Sequence, residues 1–163
     1  MKQIMQGSNL LVSVFVGSRE ASAAVEALRV AGFDLSSLSA AARDWTALYP
    51  GEAQRDRSEF DEFWRSISLL VPGCVAYRLR GIGPVLMVGR LAQWVRATLP
   101  NLALFEGLSG VGSAIYSMGL SRESSGLCDA ALKSGQILIV VHGDTAQVEG
   151  ARRVVERALG TAV

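Results

Sequence analysis

The chain has one histidine, His142, which ends an apolar run and precedes Gly143 and Asp144. A histidine can act as a general base when a nucleophile lies nearby, and strand ends carry the sites of many α/β folds. However, no serine lies in the G-x-S-x-G motif that presents a nucleophile in α/β-hydrolases. A strand-end histidine that is hydrogen-bonded to backbone explains the same residue. We therefore predict no catalytic residue and favour a protein that is not an enzyme.

A second group of residues could bind a phosphate. Gly81, Gly83 and Pro84 form a glycine-proline cluster, and Arg90 follows a short apolar run. Backbone N–H groups and a guanidinium are suitable phosphate donors, but Pro84 lacks an N–H and the spacing matches no nucleotide-binding fingerprint. A hairpin turn is the simpler interpretation. If the chain binds a small ligand, we predict that the site contains these four residues and His142.

Four aromatic residues could form an interaction surface: Trp45, Tyr49, Trp64 and Trp94. Aromatic side chains are enriched in protein interfaces. They could equally hold a long loop against the core. The sequence leaves both interpretations open, and the high apolar content favours an interface in a homo-oligomer.

Composition excludes several classes of protein. The 163 residues are 50% apolar and 19% charged, with a net charge of +1, which argues against nucleic-acid binding by charge alone. One histidine and two cysteines are too few for a histidine- or cysteine-rich metal site, so no metal and no cofactor are predicted. Cys74 and Cys128 lie in apolar settings, and we expect two buried free thiols.

Membrane insertion is not favoured. A spanning helix needs about 20 predominantly apolar residues. The uncharged segment Gly107–Ser121 is shorter and rich in glycine and serine, and Ile82–Val95 is interrupted by Arg90. We expect a cytoplasmic protein, with membrane association through residues 73–120 as a less favoured alternative.

The first part of the chain, residues 10–43, is predicted to be a β-α-β unit. Leu10–Val16 is β-branched and apolar, which is typical of a strand. Small and apolar residues then recur at helical spacing up to Gly32, and a weaker strand pattern covers Leu35–Ala42.

Residues 44–72 are predicted to be an insertion that contains a short helix from Ser58 to Leu70. Residues 73–163 form the second half. There the pattern predicts strands at Cys74–Leu79 and Val85–Val88, a helix at Leu91–Leu99, a helix at Ser121–Ser134 and a strand at Gln136–Val141. An added C-terminal helix follows, capped by Asp144 and Gln147.

The first and last strand-helix units resemble each other, with small residues and valine or leucine at matching helical offsets. This order predicts a single α+β domain, a ferredoxin-like β-α-β repeat sandwich with helices on one face of the sheet.

Three segments carry a family resemblance: VFVGSREASAAVEALRVAGFDLSSLSAAARD, GIGPVLMVGRLA, and the stretch from Gly119 through GQILIVVHGD. Together they resemble the heat-induced or general stress proteins, a group of small bacterial α+β proteins. The chain departs from that group at Arg90, where proline is usual, and near Gly126–Cys128. The resemblance implies a stress-related role without a catalytic mechanism.

Two functions follow as predictions. The first is a non-enzymatic, homo-oligomeric interaction protein of the bacterial stress type, in which a sheet edge pairs two copies. The alternative is a regulatory module that binds a small molecule at the junction of the two β-α-β halves, near Gly81–Pro84 and His142.

Overall fold

The computed structural model describes residues 3–43, 61–68, 71, 73–98 and 105–160. Six strands form one sheet in the order β1-β2-β6-β3-β5-β4, and every neighbouring pair is antiparallel. The strands are β1 (Gln3–Gln6), β2 (Leu10–Phe15), β3 (Leu38–Arg43), β4 (Val75–Leu79), β5 (Gly83–Val88) and β6 (Ile137–His142). Both predicted halves therefore contribute strands to the same sheet.

Six helices accompany the sheet in the described part of the chain. They are α1 (Ser18–Val30), α2 (residues 61–68), α3 (Arg90–Thr98), α4 (Gly110–Ser117), α5 (Arg122–Lys133) and α6 (Thr145–Gly160). A single 3-10 turn, Leu35–Ser37, precedes β3. The α+β class is thus confirmed.

The helices cover both faces of the sheet. Helices α1, α2 and α6 pack on one face around residues such as Phe15, Leu28 and Ile67. Helices α3, α4 and α5 pack on the other face, around Met87 and Ile115. This double cover explains why every residue of β2 and β6 is buried, because each side of these strands faces a helical layer.

The expectation of helices on one face is therefore wrong, and a ferredoxin-like arrangement is not confirmed. Strand β6 lies between β2 and β3, and β3 lies between β6 and β5. The sheet also has a sixth strand, β1, which pairs with β2 at the edge. In this short strand Gln3 and Gln6 flank the adjacent apolar residues Ile4 and Met5, without the polar–apolar alternation typical of a strand, so its sequence carries no strong strand signal.

Several local predictions are confirmed. Asp144 and Gln147 form a reciprocal capping box: the Gln147 N–H donates to Asp144 Oδ1 at 2.8 Å, and the Asp144 N–H donates to Gln147 Oε1 at 2.9 Å. Ser121 caps α5 by accepting the N–H of Ser124 at 3.1 Å. The prediction of two buried thiols holds for Cys128, whereas Cys74 is exposed.

No helix within the described ranges is long and apolar enough to cross a membrane.

Candidate functional site

The structure separates the predicted ligand-binding residues into two groups. Gly81 and Gly83 lie before and at the start of β5, while Arg90 follows the end of the same strand. A strand rises about 3.3 Å per residue, so the six residues of β5 place its ends about 16 Å apart. His142 lies at the Arg90 end, beside β3 and α3. The glycine-proline turn and His142 therefore do not form one site.

An open pocket of about 270 Å³ lies at the Gly81 end. Three segments line it: the β4–β5 turn, the residues that lead into α4, and one side of α5. The lining residues are Arg80, Gly81, Ile82, Gly107, Leu108, Ser109, Asp129, Ala130 and Lys133. Of the predicted ligand residues, Gly81 alone belongs to this lining. Gly83 and Pro84 have entered β5, where they pair with β4.

One wall of the pocket is fixed by Asp129. Its carboxylate accepts the Ser109 N–H at 2.7 Å and the Ser109 hydroxyl at 2.5 Å. Burial raises the pKa of Asp129, while the hydrogen bonds from Ser109 and from the Gly112 N–H act in the opposite direction. Ser109 also accepts the N–H groups of Val111 and Gly112. Asp129 therefore holds the first turn of α4 against α5.

Close packing at Gly112 allows this arrangement. A Cβ atom at Gly112 would lie 2.4 Å from Asp129 Oδ2, closer than any side chain tolerates. The absence of a side chain thus lets the carboxylate approach the backbone of α4. The same glycine weakens the helical signal in the sequence, which explains why α4 was not predicted.

The rim of the pocket is cationic. Arg80 and Lys133 are exposed, and neither forms an ion pair with a residue that the structure describes. Among the described lining residues, two positive charges against the carboxylate of Asp129 give a net charge of +1. Neither these two cations nor Asp129 is among the residues predicted from the sequence. The available signals were the position of Arg80 beside Gly81 and the i, i+4 spacing of Asp129 and Lys133, which places both on one face of a helix.

At the other end of β5, Ser39 and His142 form a buried polar pair. Ser39 Oγ lies 2.8 Å from His142 Nε2 and accepts the Leu91 N–H at 3.0 Å. The direction of the Ser39–His142 bond follows the imidazole tautomer, because Oγ can donate its hydrogen to Nε2 or accept an Nε2–H while it accepts from Leu91. Burial, with a smaller contribution from Arg90, lowers the pKa of His142 to about 4. The imidazole is therefore neutral at physiological pH.

This pair links secondary structure rather than presenting a nucleophile. Ser39 is completely buried and His142 is 7% exposed, so no substrate can reach the hydroxyl in this conformation. The pair ties β3, β6 and the first turn of α3 together. The expected backbone partner of His142 is in fact a side-chain hydroxyl, 103 residues away in the sequence.

The predicted aromatic surface is only partly described. Trp64 is buried in the core, where its Nε1–H donates to Cys74 Sγ at 3.3 Å, so it does not lie at a surface. Trp94 lies in α3, is half-buried, and packs against the part of the core that α3, α4 and α5 cover. Trp45 and Tyr49 lie outside the described residues. The exposed aromatic side chain of Phe105 packs edge-to-face on Tyr116, with ring centroids 4.9 Å apart.

Within the part of the chain that the structure describes, no three histidine, cysteine, aspartate or glutamate side chains are grouped to hold a metal ion. No protein-family model matches the chain, and no curated protein or solved structure is significantly similar to it. The resemblance to the bacterial stress proteins therefore stays a prediction.

The buried histidine should make stability depend on pH. Folded His142 has a pKa of about 4, whereas an unfolded histidine titrates near 6.5. Between these values only the unfolded chain binds the proton, so the free energy of unfolding falls as pH decreases from about 6.5 to about 4, by up to about 3 kcal/mol. Above pH 6.5 the histidine is neutral in both the folded and the unfolded chain, so it causes no loss of stability there. Urea unfolding of the wild type at several pH values measures the loss.

The variant His142→Gln is the matched control, because it keeps a polar side chain and removes the titration. We expect the difference in stability between wild type and variant to shrink between pH 6.5 and 4. Parallel curves over that range would contradict a neutral, buried His142.

Proposed function

We propose that this chain is a non-enzymatic protein that binds a small molecule in the open pocket between the β4–β5 turn, the start of α4 and α5. The observation that carries the proposal is the combination of a concave site of about 270 Å³ with two lining cations, Arg80 and Lys133, that form no ion pair with a residue that the structure describes. Ligand pockets commonly have volumes of about 300–1,000 Å³. A volume near the lower limit favours a metabolite with few heavy atoms.

The construction of the pocket supports a preformed site. Asp129 and Ser109 join α5 to α4 through two short hydrogen bonds, and Arg43 Nη1 donates to the Lys133 carbonyl oxygen at 2.8 Å. These contacts fix two of the three walls without any ligand. A preformed site loses less conformational entropy on binding.

A non-enzymatic role agrees with the position of the Ser39–His142 pair, which is buried at the far end of β5. The expectations of a bacterial stress response and a cytoplasmic location complete the proposal. They rest on the sequence resemblance and composition alone.

The test is a thermal-shift screen of small metabolites on the wild type and two tryptophan variants. Ala130→Trp fills the pocket from its rim, while Ala23→Trp places the same side chain on the exposed face of α1, across the sheet. A ligand at one hundred times its dissociation constant adds about 2.7 kcal/mol of stability. We expect this increase in the wild type and in Ala23→Trp, and its loss in Ala130→Trp. A screen without any stabilising compound, or equal responses in both variants, would refute the proposal.

A second candidate function, homo-oligomerisation, is favoured by the β4 edge of the sheet. Among the described residues, only β5 pairs with β4. An edge strand with unpaired backbone groups can pair with another chain. Two copies could pair antiparallel through β4, with the pairing centred on Tyr77. Ala76 of each copy would then lie opposite Arg78 of the other, so that no like charges face each other.

Light scattering at several protein concentrations tests this candidate. Ala76→Lys would place a lysine opposite Arg78 and should convert a dimer into a monomer, because like charges directly opposite each other destabilise a strand pair. Ala97→Lys adds the same charge on the exposed side of α3 and should leave the dimer intact. A wild-type monomer at every concentration would exclude the candidate.

A further inference from the structure

We infer that the pocket selects a small oxyanion ligand, a molecule whose phosphate or carboxylate group is held between Arg80 and Lys133. The inference rests on the proposed function, since it names the ligand class of the same pocket. Phosphate and carboxylate share the chemistry that the pocket recognises, and the experiment below distinguishes them.

The two cations come from different walls of the pocket. Arg80 follows β4 in the turn, and Lys133 lies in the last turn of α5. A guanidinium offers paired N–H donors that match the oxygens of a carboxylate or phosphate, and an ammonium adds a point charge with three donors. Because they come from two different elements that line the same pocket, they can contact one anionic group together.

The carboxylate in the pocket does not neutralise these cations. Asp129 already accepts the Ser109 N–H and the Ser109 hydroxyl, and the Gly112 N–H also bonds to it. These donors belong to the start of α4, where the positive end of the helix dipole favours a negative charge. Asp129 therefore serves as the internal counterion of α4, and the rim cations are left for a ligand.

This use of Asp129 also argues against a cationic ligand. A ligand ammonium would have to compete with three donors already bound to the carboxylate and would face Arg80 and Lys133 at the rim. The electrostatic surroundings thus favour negative charge.

The apolar residues of the pocket indicate the chemistry of the part of the ligand that carries no charge. Ile82 and Leu108 are both buried side chains that line the pocket. They offer a small apolar surface to a short carbon skeleton. The expected ligand is therefore a small organic acid or phosphate ester, for which the free anion is the minimal probe.

The experiment is a titration followed by NMR, which reads the amide shifts of Gly81 and Gly107 in the pocket lining. The probes are inorganic phosphate, succinate, the neutral compound glycerol and the cation ethanolamine, all at constant ionic strength. We expect saturable shifts with phosphate or succinate and none with glycerol or ethanolamine. The anion that saturates at the lower concentration identifies the phosphate or the carboxylate class.

Charge-removing variants locate the binding. Arg80→Gln and Lys133→Gln should each weaken anion binding roughly tenfold, as the loss of a charge-assisted hydrogen bond predicts. Arg78→Gln is the matched control, because Arg78 is exposed on β4, two residues from Arg80, and does not line the pocket. It should bind like the wild type. All three side chains are exposed, so the fold is not at risk.

The outcomes separate the two proposals. Saturable pocket binding of glycerol without anion binding would overturn the inference and leave the proposed function standing. Equal weakening by all three variants would show attraction to general surface charge, which also overturns the inference. If no probe shifts the pocket amides and the metabolite screen gives no stabilising compound, both proposals fail.

Discussion

Replacing Gly89 with alanine should lower the free energy of unfolding by about 2–5 kcal/mol. Gly89 has a φ of +86°, and a left-handed conformation costs an L-residue about 1–2 kcal/mol. The added Cβ would also lie 2.2 Å from the Leu38 carbonyl oxygen and 2.9 Å from Ser39 Cα. These are backbone atoms of β3, where Leu38 and Ser39 are held by pairing with Val141 and Val140 of β6, so they cannot move aside. Forced overpacking adds about 1–3 kcal/mol.

Gly32→Ala is the matched control. Gly32 has nearly the same φ, +88°, but a Cβ there would meet no atom within 4 Å. Its substitution should cost only the conformational penalty of about 1–2 kcal/mol. Urea unfolding of both variants measures the difference. Equal losses would mean that Gly89 does not pack closely on β3.

The Gly89 substitution should also disturb the histidine. The new methyl group would lie 2.8 Å from Ser39 Oγ, the atom that bonds His142 and Leu91. Displacing this hydroxyl removes the partner of the neutral imidazole. We therefore expect a weaker pH dependence of stability in Gly89→Ala than in Gly32→Ala.

Much of the secondary structure could be predicted from the sequence because its causes are local. An apolar run such as Gln136–Val141 marks a buried strand, and β6 occupies Ile137–His142. Ser121 and the Asp144–Gln147 pair mark helix starts through hydrogen bonds that span three residues. The glycine-proline cluster marks a turn, and a turn connects β4 to β5.

The layering could not be predicted in the same way. Strands β2 and β3 are parallel with β6 between them, and β5 and β6 are parallel with β3 between them. The connection from β2 to β3 and the connection from β5 to β6 each cross one intervening strand. They start from oppositely directed strands and run in opposite directions across the sheet. Two crossovers of the same handedness would therefore lie on the same face. The structure places α1 on one face and α3–α5 on the other. No local pattern encodes this choice.

The pocket and the separate, buried Ser39–His142 pair both depend on contacts between distant parts of the sequence. Ser109 and Asp129 are separated by 20 positions, and Ser39 and His142 by 103. A serine or an aspartate alone gives no sign of such a partner. Gly81 could be predicted because a turn requires it locally, whereas its neighbours across the pocket, Asp129 and Lys133, depend on how α5 packs.

Replacing Ile139 with aspartate should unfold the protein. Ile139 is 2% exposed and lies in β6, where it is opposite Ser13 of β2 and Ala40 of β3. A carboxylate at this position would be buried without a partner, and the Ile side chain's packing would be lost as well. Together these costs are about 5 kcal/mol or more, which matches the entire stability of many domains. Val12→Asp, in fully buried β2, should have the same result.

Circular dichroism and size exclusion at 25 °C measure this outcome. Two controls test whether the burial of a charge causes the unfolding. Ile139→Val changes the same position without adding a charge and should cost about 1 kcal/mol. Val16→Asp adds a carboxylate just after β2, where the side chain is 51% exposed. Both controls should stay folded. If Ile139→Asp and Val12→Asp unfold cooperatively near the wild-type Tm, β2 and β6 cannot form the centre of a sheet covered on both faces. The pocket would then lose its support, because α5 packs on β6 and β3.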